Sequence, residues 1–426
     1  MTAPGLVRVI GTGAFALTII NSIVGSGIFG LPAAAAAIMG PAAVLGYVGC
    51  SFLVGLVALC FAESGSRLPE TGGTYAWSRA AFGPAVGASV GYLMAFPNLA
   101  GANAAVGALL VASLRAALPG VSPMVPAALV AVVYLSFALT NIRSVAAGAW
   151  TSATLVVIKL VPLLVLVVAG IGFIQTENLR WPTAPSAGTL GQGMVLLFFA
   201  FMGSEGPLST IGEVRRPSRT IPRALALAVL GTGTLYLGVQ LVAQGVLGPR
   251  LAQASDAPLA EAAAIVFGPV GRTFLLWAAI ISTTGFISSD VLNGPRMLFA
   301  LGNARLLPSI FGRVHPQFHT PYIAIVAYVL LCGGLAITGT FRQLAVFAAA
   351  GTLAIYLVSV LGLLRIRRLG LRATDAPFVV PGGPVVPVTA AVILVGLLAS
   401  LTGQEVLATL GLAVAGLVVG LVRSRV

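Results

Sequence analysis

Long uncharged apolar stretches run through nearly the whole chain, and they constrain its fold more than any other feature. Hydrophobic residues make up 58% of the sequence and charged residues only 8%, whereas soluble domains carry about 25% charged residues. A water-soluble protein of this length could not cover its surface with so few charges. The sequence therefore predicts an integral membrane protein that crosses the bilayer many times.

Twelve apolar segments are long enough to cross a bilayer, whose hydrocarbon core requires about 20 helical residues. We predict spans at residues 12–38, 42–64, 84–116, 124–141, 147–173, 189–212, 222–246, 271–301, 321–339, 343–365, 384–402 and 404–422. The predicted fold class is an all-α integral membrane protein with twelve transmembrane helices, forming a single transmembrane domain over residues 1–426.

The arginines are distributed unevenly between the two sides that this span assignment defines. Seventeen of the 22 arginines fall on the side that holds both chain ends, and five fall on the other side. Because cytoplasmic loops carry the excess of basic residues, both ends are predicted to be cytoplasmic. This distribution accounts for the net charge of +13 without a nucleic-acid partner. The abundance of arginine and alanine suggests a GC-rich bacterial genome and hence the bacterial inner membrane.

Two predicted spans contain clusters of glycine and proline that predict interrupted helices. The first span contains VGSGIFGLP at residues 24–32, and the sixth contains FFAFMGSEGP at residues 198–207. Glycine costs about 1 kcal/mol relative to alanine inside a helix, although small residues also allow close helix packing in membranes. The two Gly-Ser pairs are five spans apart, so the second lies inverted in the membrane. Matching interruptions in inverted halves indicate the binding site of a transporter.

The chemistry of such interruptions indicates an amino acid as the ligand. Backbone groups that are freed inside a bilayer must face protein, water or a ligand, because lipid cannot bind them. The half-helix that follows residue 27 presents N–H groups, which suit a carboxylate. The half-helix that ends near residue 202 presents carbonyl groups, which suit an ammonium. Together they complement the two ends of an amino acid.

Several motifs resemble those of the amino acid–polyamine–organocation superfamily of secondary transporters. GSGIF at residues 25–29 resembles the signature of the first helix, and ESGSRLPETGGTYAWSRAAFGP at 63–84 resembles the loop between spans two and three. FFAFMGSEG, followed by GEVRRPSRTIPRA at 212–224, resembles the sixth helix and its exit. GPRMLFALGNARLLPSIFGRVHPQFHTPY at 294–322 resembles the end of span eight and the start of span nine.

The resemblance implies an inverted five-plus-five repeat with discontinuous helices one and six. The first repeat would cover residues 12–173 and the second 189–365, while residues 384–422 would form two accessory helices that could pair two copies as a homodimer. It implies that the substrate-binding residues are Ile23, Gly25, Ser26 and Gly27 around the carboxylate and Phe199, Ala200 and Gly203 around the amine and side chain. Phe201 is the candidate gate, either as a lid over the substrate or as simple packing.

Lys159 is the only lysine of the chain and lies in the apolar run LVVIKLVPLLVLV. Charges within spans are rare and are usually functional. Sodium-coupled proteins of the resembled fold hold the cation between spans one and eight, and some members place a lysine from span five there instead. The resemblance implies that the Lys159 ammonium binds carbonyls near Ile23 or Val24 and a hydroxyl such as Ser288 or Ser289. Transport would then be independent of sodium.

Two acidic residues also fall within predicted spans, and each leaves alternatives open. Glu205 lies in the interruption of span six, where it could couple protons, gate the site or cap the following helix. Asp290 lies on span eight, where many relatives carry an aromatic residue. It could contact the substrate, carry a proton or pair with Lys159, which would neutralise two costly charges. Farther out, Glu63, Arg67, Glu70, Arg79 and Glu213 are expected to form a cytoplasmic network of ion pairs.

The sequence therefore predicts a secondary active amino acid transporter that works by alternating access, driven by protons or by amino acid exchange. Neutral amino acids are favoured as substrates, and cationic amino acids or polyamines become the alternative if Glu205 and Asp290 face the site. A non-transporting receptor with a transporter fold is the alternative of another class. The motifs of an enzyme are missing, since no nucleophile elbow or phosphate-binding loop is found. No cofactor and no metal site are expected.

Overall fold

A computed structural model describes residues 10–68, 73–143, 152–181, 183–208, 211, 214–372 and 377–424. These residues form helices and loops but no β-strand, apart from a single bridge between Ile10 and Val214. In chain order the α-helices are α1 (Thr12–Ile23), α2 (Leu31–Met39), α3 (Ala43–Arg67), α4 (Gly73–Phe82), α5 (Pro84–Leu93), α6 (Ala102–Ala117), α7 (Met124–Arg143), α8 (Ser152–Gly170), α9 (Ala187–Phe198), α10 (Glu205–Leu208), α11 (Pro217–Leu247), α12 (Pro258–Asn303), α13 (Tyr322–Thr338), α14 (Phe341–Arg368), α15 (Val385–Ala399) and α16 (Gly403–Arg423).

Seven helical stretches of the described chain are long and apolar enough to cross a membrane. They are Leu31–Arg67, Pro84–Ala117, Met124–Arg143, Pro217–Gln253, Pro258–Asn303, Phe341–Arg368 and Gly403–Arg423. Five shorter apolar helices accompany them, at Thr12–Ile23, Lys159–Phe173, Ala187–Phe201, Tyr322–Thr338 and Val385–Ala399. The predicted class of an α-helical, multi-pass membrane protein is therefore confirmed. The start of the predicted fifth span, residues 147–151, lies outside the described residues.

The helices differ strongly in how far they are enclosed by the rest of the protein. Of the 18 consecutive residues that form the most apolar part of each helix, 72% are buried in α14, 22% in α7 and 17% in α16. Large apolar side chains on the outer helices, such as Leu139 and Leu407, are exposed. Exposed apolar side chains on long helices suit contact with lipid tails. The architecture is thus a bundle with α14 near its centre and α7 and α16 on its outside.

Both predicted helix interruptions are present in the structure. Helix α1 ends at Ile23, the backbone at Gly25 is extended, and helical structure resumes as a 3₁₀ turn at Ser26–Phe29 before α2. Helix α9 continues as a 3₁₀ turn at Phe199–Phe201, after which residues 202–204 are not helical and the short α10 begins. The glycine clusters therefore mark the places where these two apolar helices break.

Between α5 and α6 the third apolar helix widens into an eight-residue π-helical segment, Met94–Gly101, that contains Pro97. Proline cannot donate the backbone hydrogen bond that a regular helix needs at that position. The ring of Pro97 packs so closely against Gly351 of α14 that an added Cβ would overlap its Cγ atom. The π-helical segment therefore lies tightly against the central helix, and π-bulges are frequent at functional sites.

A buried carboxylate joins the end of α3 to the end of α14. Glu63 is fully buried and pairs with Arg67 Nε at 2.7 Å and with Arg367 Nη2 at 2.5 Å. Its Oε2 atom also accepts a hydrogen bond from the backbone N–H of Val380 at 2.8 Å. In the expected cytoplasmic network Glu63 and Arg67 therefore pair, and Arg367 joins them. Arg79 is in none of the ion pairs of the described chain, and Glu70 and Glu213 lie outside the described residues.

Replacing Glu63 by Gln is expected to destabilise the folded protein by about 3 kcal/mol, because two partly buried guanidinium groups would lose their counter-charge. Thermal unfolding of the purified protein in detergent measures the effect. Glu261→Gln is the matched control, since Glu261 pairs with Arg272 at 3.0 Å but both side chains are about 40% exposed. Such an exposed pair contributes at most about 1 kcal/mol. Equal losses in the two variants would contradict the structural role of Glu63.

Candidate functional site

The two helix interruptions touch each other at the centre of the protein. The Ser22 hydroxyl, in the last turn of α1, donates a hydrogen bond to the Gly203 carbonyl at 2.6 Å. Gly203 has a φ of +109°, and an added Cβ would lie 2.5 Å from the Ser22 carbonyl oxygen. Only glycine fits both the backbone conformation and this close approach. Glycine at position 203 therefore allows the backbones of the two interrupted helices to come into contact.

A cavity of about 160 Å³ opens where the interruptions meet. Ligand pockets for drug-sized molecules are about 300–1,000 Å³, so this cavity suits a smaller molecule. Its wall from the two interrupted helices consists of Ser22, Ile23, Gly25, Gly27, Ile28, Phe199, Ala200, Met202, Gly203, Glu205 and Gly206. Its remaining wall consists of Met94, Asn98, Leu99, Ala102, Val106, Tyr236, Phe286 and Asp290.

Lys159 binds the end of α1 from outside the cavity. Its Nζ atom lies 2.9 Å from Asn21 Oδ1, 3.3 Å from the Asn21 carbonyl oxygen and 3.4 Å from the Val24 carbonyl oxygen. The first contact is a hydrogen bond of ordinary length, and the other two are longer and weaker. The lysine side chain is buried. A cation at this place is favourable because the C-terminus of a helix carries partial negative charge.

Another carbonyl freed by the first interruption is bound by a tyrosine. The Tyr236 hydroxyl of α11 donates to the Ile23 carbonyl at 2.9 Å, and the backbone N–H of Gly25 donates to the same oxygen at 2.6 Å. Tyr236 also lines the cavity. The end of α1 is therefore held by Lys159 on one side and by Tyr236 on another.

Glu205, the first residue of α10, carries a buried carboxylate that is held by neutral donors. Asn98 Nδ2 donates to Oε1 at 2.7 Å, and the Tyr356 hydroxyl donates to Oε2 at 2.6 Å. The backbone N–H of Gly203 also donates to Oε2, at 3.1 Å. Asn98 comes from the π-helical segment and also binds Thr352 of α14 at 2.9 Å. Glu205 thus links the second interruption to the central helix.

Asp290 on α12 is the second carboxylate at the cavity, and its two oxygens differ in their surroundings. Oδ2 accepts hydrogen bonds from Asn103 Nδ2 at 2.6 Å and from the Tyr328 hydroxyl. Asn103 Oδ1 in turn accepts a bond from the Tyr134 hydroxyl at 2.5 Å. Oδ1 of Asp290 accepts no hydrogen bond from the part of the chain that the structure describes. The network fixes the carboxylate and leaves one oxygen for other partners.

Most of the residues that the sequence pointed to lie together at this cavity. Ile23, Gly25, Gly27, Phe199, Ala200, Gly203, Glu205 and Asp290 all line it. The rings of Phe199 and Phe341 pack edge to face at 5.9 Å, and Phe199 lies so close to Gly27 that an added Cβ there would be 2.7 Å from its Cε1 atom. The backbone of Ser26 starts the 3₁₀ turn, and its side chain lies outside the described part of the structure.

Three predicted residues lie elsewhere. Phe201, the candidate gate, is buried against Tyr47 and Tyr236 and does not line the cavity; its neighbour Phe199 is the ring at the wall. Ser288 and Ser289 are not partners of Lys159, which binds the Asn21 side chain instead. Ser288 follows Phe286 by two positions on α12 and therefore faces another direction than Phe286 and Asp290. Ser289 is exposed. Lys159 and Asp290 do not form an ion pair, since each binds other groups.

The polar side chains that hold the charged ones were not predicted from the sequence. Asn98 and Asn103 bind the two carboxylates, and Tyr236 binds the first interruption. An available signal was the presence of two asparagines in one apolar span, because polar groups inside a membrane are costly and usually functional. Ser22 and Phe286, which also line the cavity, carry no such signal because serine and phenylalanine are common in apolar helices.

Comparison with known proteins gives consistent matches over most of the chain. The profile of the amino acid permease family matches residues 10–422. An uncharacterized transporter of Mycobacterium tuberculosis is 30% identical over 80% of this chain and 76% of its own length. The methylthioribose transporter of Bacillus subtilis is 26% identical over 92% and 88%. A vacuolar cationic amino acid transporter of Arabidopsis thaliana is 28% identical over 77% of this chain and 54% of its own length.

Replacing Gly203 by Ala is expected to abolish ligand binding at the cavity and to destabilise the protein. The positive φ costs alanine about 1–2 kcal/mol, and the Cβ would push the two interruptions apart. Gly13→Ala is the matched control, because an added Cβ at Gly13 meets nothing within 4 Å. Detergent melting curves and the folded yield report stability. A Gly203→Ala variant as stable as Gly13→Ala would contradict the close approach.

Proposed function

This chain belongs to the amino acid permease family, and on that premise we propose that it is a sodium-independent secondary active transporter of amino acids. The observation that carries the proposal is the cavity at the contact between two interrupted helices. Interrupted helices that meet within the membrane are the recurring construction of a transporter's substrate site. The relatives named above are themselves transporters.

We further propose twelve spans arranged as an inverted five-plus-five repeat with two accessory helices. Each of the twelve predicted spans contains an apolar helix of the structure. The repeats would comprise residues 12–173 and 189–365, with the accessory helices in 384–422. The interruptions follow Ile23 and Phe201, equivalent places near the middle of the first helix of each proposed repeat. The excess of arginine on one side supports a cytoplasmic location for both chain ends, in the inner membrane of a bacterium.

Recognition of the substrate would divide between the two interrupted helices. The 3₁₀ turn at Ser26–Phe29 begins with backbone N–H groups that have no partner within the helix, and these suit the substrate carboxylate. The carbonyls at the end of the helix that precedes residue 202 suit the ammonium. Phe199, Phe286 and Ile28 would surround the side chain of the substrate. Alternating access would follow from movement of the interrupted helices relative to the other spans.

Lys159 would take the place of a coupling sodium ion. Its ammonium binds the carbonyl end of α1 from α8, and α8 also packs against α12. A tethered charge at this position holds the interruption in place without a diffusible cation. The energy for uptake would then come from protons or from exchange against a second amino acid. Glu205 is a candidate for the proton step, since its carboxylate is buried at the cavity and binds only neutral donors in the described chain.

Uptake into proteoliposomes tests the proposal. The purified protein is reconstituted and supplied with single radiolabelled amino acids in sodium-free buffer, with an inward proton gradient or with unlabelled amino acid inside. Accumulation of at least one amino acid above empty liposomes supports the proposal. Uptake of methylthioribose without uptake of any amino acid would contradict it. Saturable amino acid binding without uptake under either condition would favour a receptor.

A cationic amino acid is the second candidate substrate, and the free oxygen of Asp290 favours it. A carboxylate inside the bilayer requires a compensating charge or a proton, and Oδ1 of Asp290 has no donor in the described chain. An added Cβ at Gly25 would lie 4.0 Å from Phe286 Cε2, and Asp290 lies one turn farther along α12, about 6 Å of axial rise. A substrate held at Gly25 by its carboxylate could therefore bring a side-chain cation to Asp290.

Asp290→Asn distinguishes the two substrate classes. If a cationic side chain binds Asp290, the KM for cationic amino acids should rise at least about tenfold, which is the loss expected for a hydrogen bond to a charged group. The KM for neutral amino acids should stay within about twofold. Glu177→Gln, at an exposed acid outside the cavity, is the control. Equal changes for both substrate classes would leave neutral amino acids as the substrate and give Asp290 a structural or proton-carrying role.

Lys159→Ala is expected to lower sodium-free uptake at least tenfold while folded protein is still produced, because the end of α1 would lose its cation. Leu160→Ala is the control, since Leu160 lines the same small pocket and its truncation leaves the ammonium in place. Uptake and the melting temperature are measured on both variants. Normal sodium-free uptake by Lys159→Ala would contradict the proposed replacement of sodium.

A further inference from the structure

A second cavity, away from the proposed substrate site, lies between the end of α12 and the end of α16. It has a volume of about 710 Å³. The segment that follows α12 forms one wall with Arg305, Leu307 and Pro308, and the last turns of α16 form the other with Val418, Val422 and Arg423. In the proposed topology, this groove lies on the side of the membrane where most of the arginines fall. Nothing in the proposed transport mechanism uses it.

Two arginines line the groove, one from each wall. Arg423 Nε donates a hydrogen bond to the Arg305 backbone carbonyl at 3.1 Å, which leaves both terminal nitrogens of the Arg423 guanidinium for other acceptors. Neither arginine is in any of the ion pairs of the described residues. Two like charges that line one groove repel each other, so an anion bound in the groove would be favourable.

The backbone around Arg305 is fixed rather than loose. Arg305, two residues beyond the end of α12, adopts a φ of +56°, and its N–H donates to the Gly302 carbonyl at 3.0 Å. The Tyr92 hydroxyl of α5 donates to the Leu306 carbonyl at 2.5 Å. These bonds tie the segment after α12 to the helices on both sides. The groove therefore has a defined shape before any ligand binds.

The wall formed by α16 is apolar and open to the surroundings. Val418 and Val422 are separated by one helical turn and are 52% and 59% exposed. They continue an exposed apolar face that includes Leu407, Leu410 and Val414. In a bilayer this face contacts lipid tails, and the arginine that follows it reaches the headgroup level. The groove thus joins an acyl-chain surface to a pair of cations.

We propose that this groove is a binding site for an anionic phospholipid. The phosphate of the lipid lies between the guanidinium groups of Arg305 and Arg423, and one acyl chain lies along Val418 and Val422. A free phosphate ion would use only the arginines, and an acidic peptide would leave the valines against lipid tails. A phospholipid with a net negative headgroup satisfies both walls. Basic pockets between transmembrane helices on the cytoplasmic side bind such headgroups.

The test uses the full-length protein in a neutral detergent. Dioctanoyl phosphatidylglycerol is titrated against it, and binding is followed by native mass spectrometry and by the melting temperature, which rises with the concentration of any ligand that binds the folded state. Dioctanoyl phosphatidylcholine, glycerol phosphate and inorganic phosphate are titrated in parallel. The variants are Arg305→Gln, Arg423→Gln and the double variant. Arg313→Gln is the control, because Arg313 is exposed on the same side but does not line the groove.

The phosphatidylglycerol affinity is expected to fall about fivefold for each groove arginine and about thirtyfold for the double variant, with no change for Arg313→Gln. Equal stabilisation by glycerol phosphate or inorganic phosphate would overturn the proposal in favour of a simple anion site. Equal affinity for phosphatidylcholine would remove the role of net headgroup charge. An equal loss in Arg313→Gln would assign the binding to diffuse surface charge. None of these outcomes depends on which substrate is transported.

Discussion

The structure depends on one physical constraint: backbone groups that are not in a helix must find partners inside a membrane that offers none. Two apolar helices break in the middle of this protein, and their interruptions meet where Ser22 donates to the Gly203 carbonyl. The contact is possible because residue 203 has no Cβ and adopts a positive φ. This bond satisfies a freed carbonyl of the second interruption, Lys159 and Tyr236 bind freed carbonyls of the first, and other freed groups face a cavity. The site is therefore a consequence of how the breaks are tolerated.

The other elements around the site can be understood as supports for these two breaks. Lys159 and Tyr236 bind carbonyls at the end of the first, and Glu205 accepts the Gly203 N–H at the second. Glu205 is in turn held by Asn98. Asn98 reaches it because Pro97 widens the third helix into a π-helical segment that packs against Gly351. At the C-terminal end of α14, Glu63 joins α3 to the same helix through Arg367. In the proposed mechanism, these polar contacts would connect substrate binding to movement of the helices.

The sequence was sufficient for the features that follow from solvation and backbone chemistry. The apolar runs predicted the helices, and the clusters of glycine with serine and proline predicted both interruptions. Lys159 stood out because an isolated cation inside a membrane has a high free-energy cost. The sequence was insufficient for features that depend on the direction in which a side chain points. The choice between Phe199 and Phe201 at the cavity depends on where the helix ends and how the 3₁₀ turn rotates its residues. Lys159 binds Asn21 and not the predicted Ser288 or Ser289. This difference depends on the rotation of α12, which local sequence does not encode.

The most direct test of the account is a binding measurement with matched analogues in sodium-free detergent solution. Once the preferred amino acid has been identified, its melting-temperature shift is compared with those of its decarboxylated amine and its N-acetyl derivative. If one interrupted helix binds the carboxylate and the other the ammonium, only the intact amino acid should stabilise the protein, and each analogue should bind at least tenfold more weakly. An amine or an N-acetyl derivative that binds as tightly as the amino acid would contradict the account.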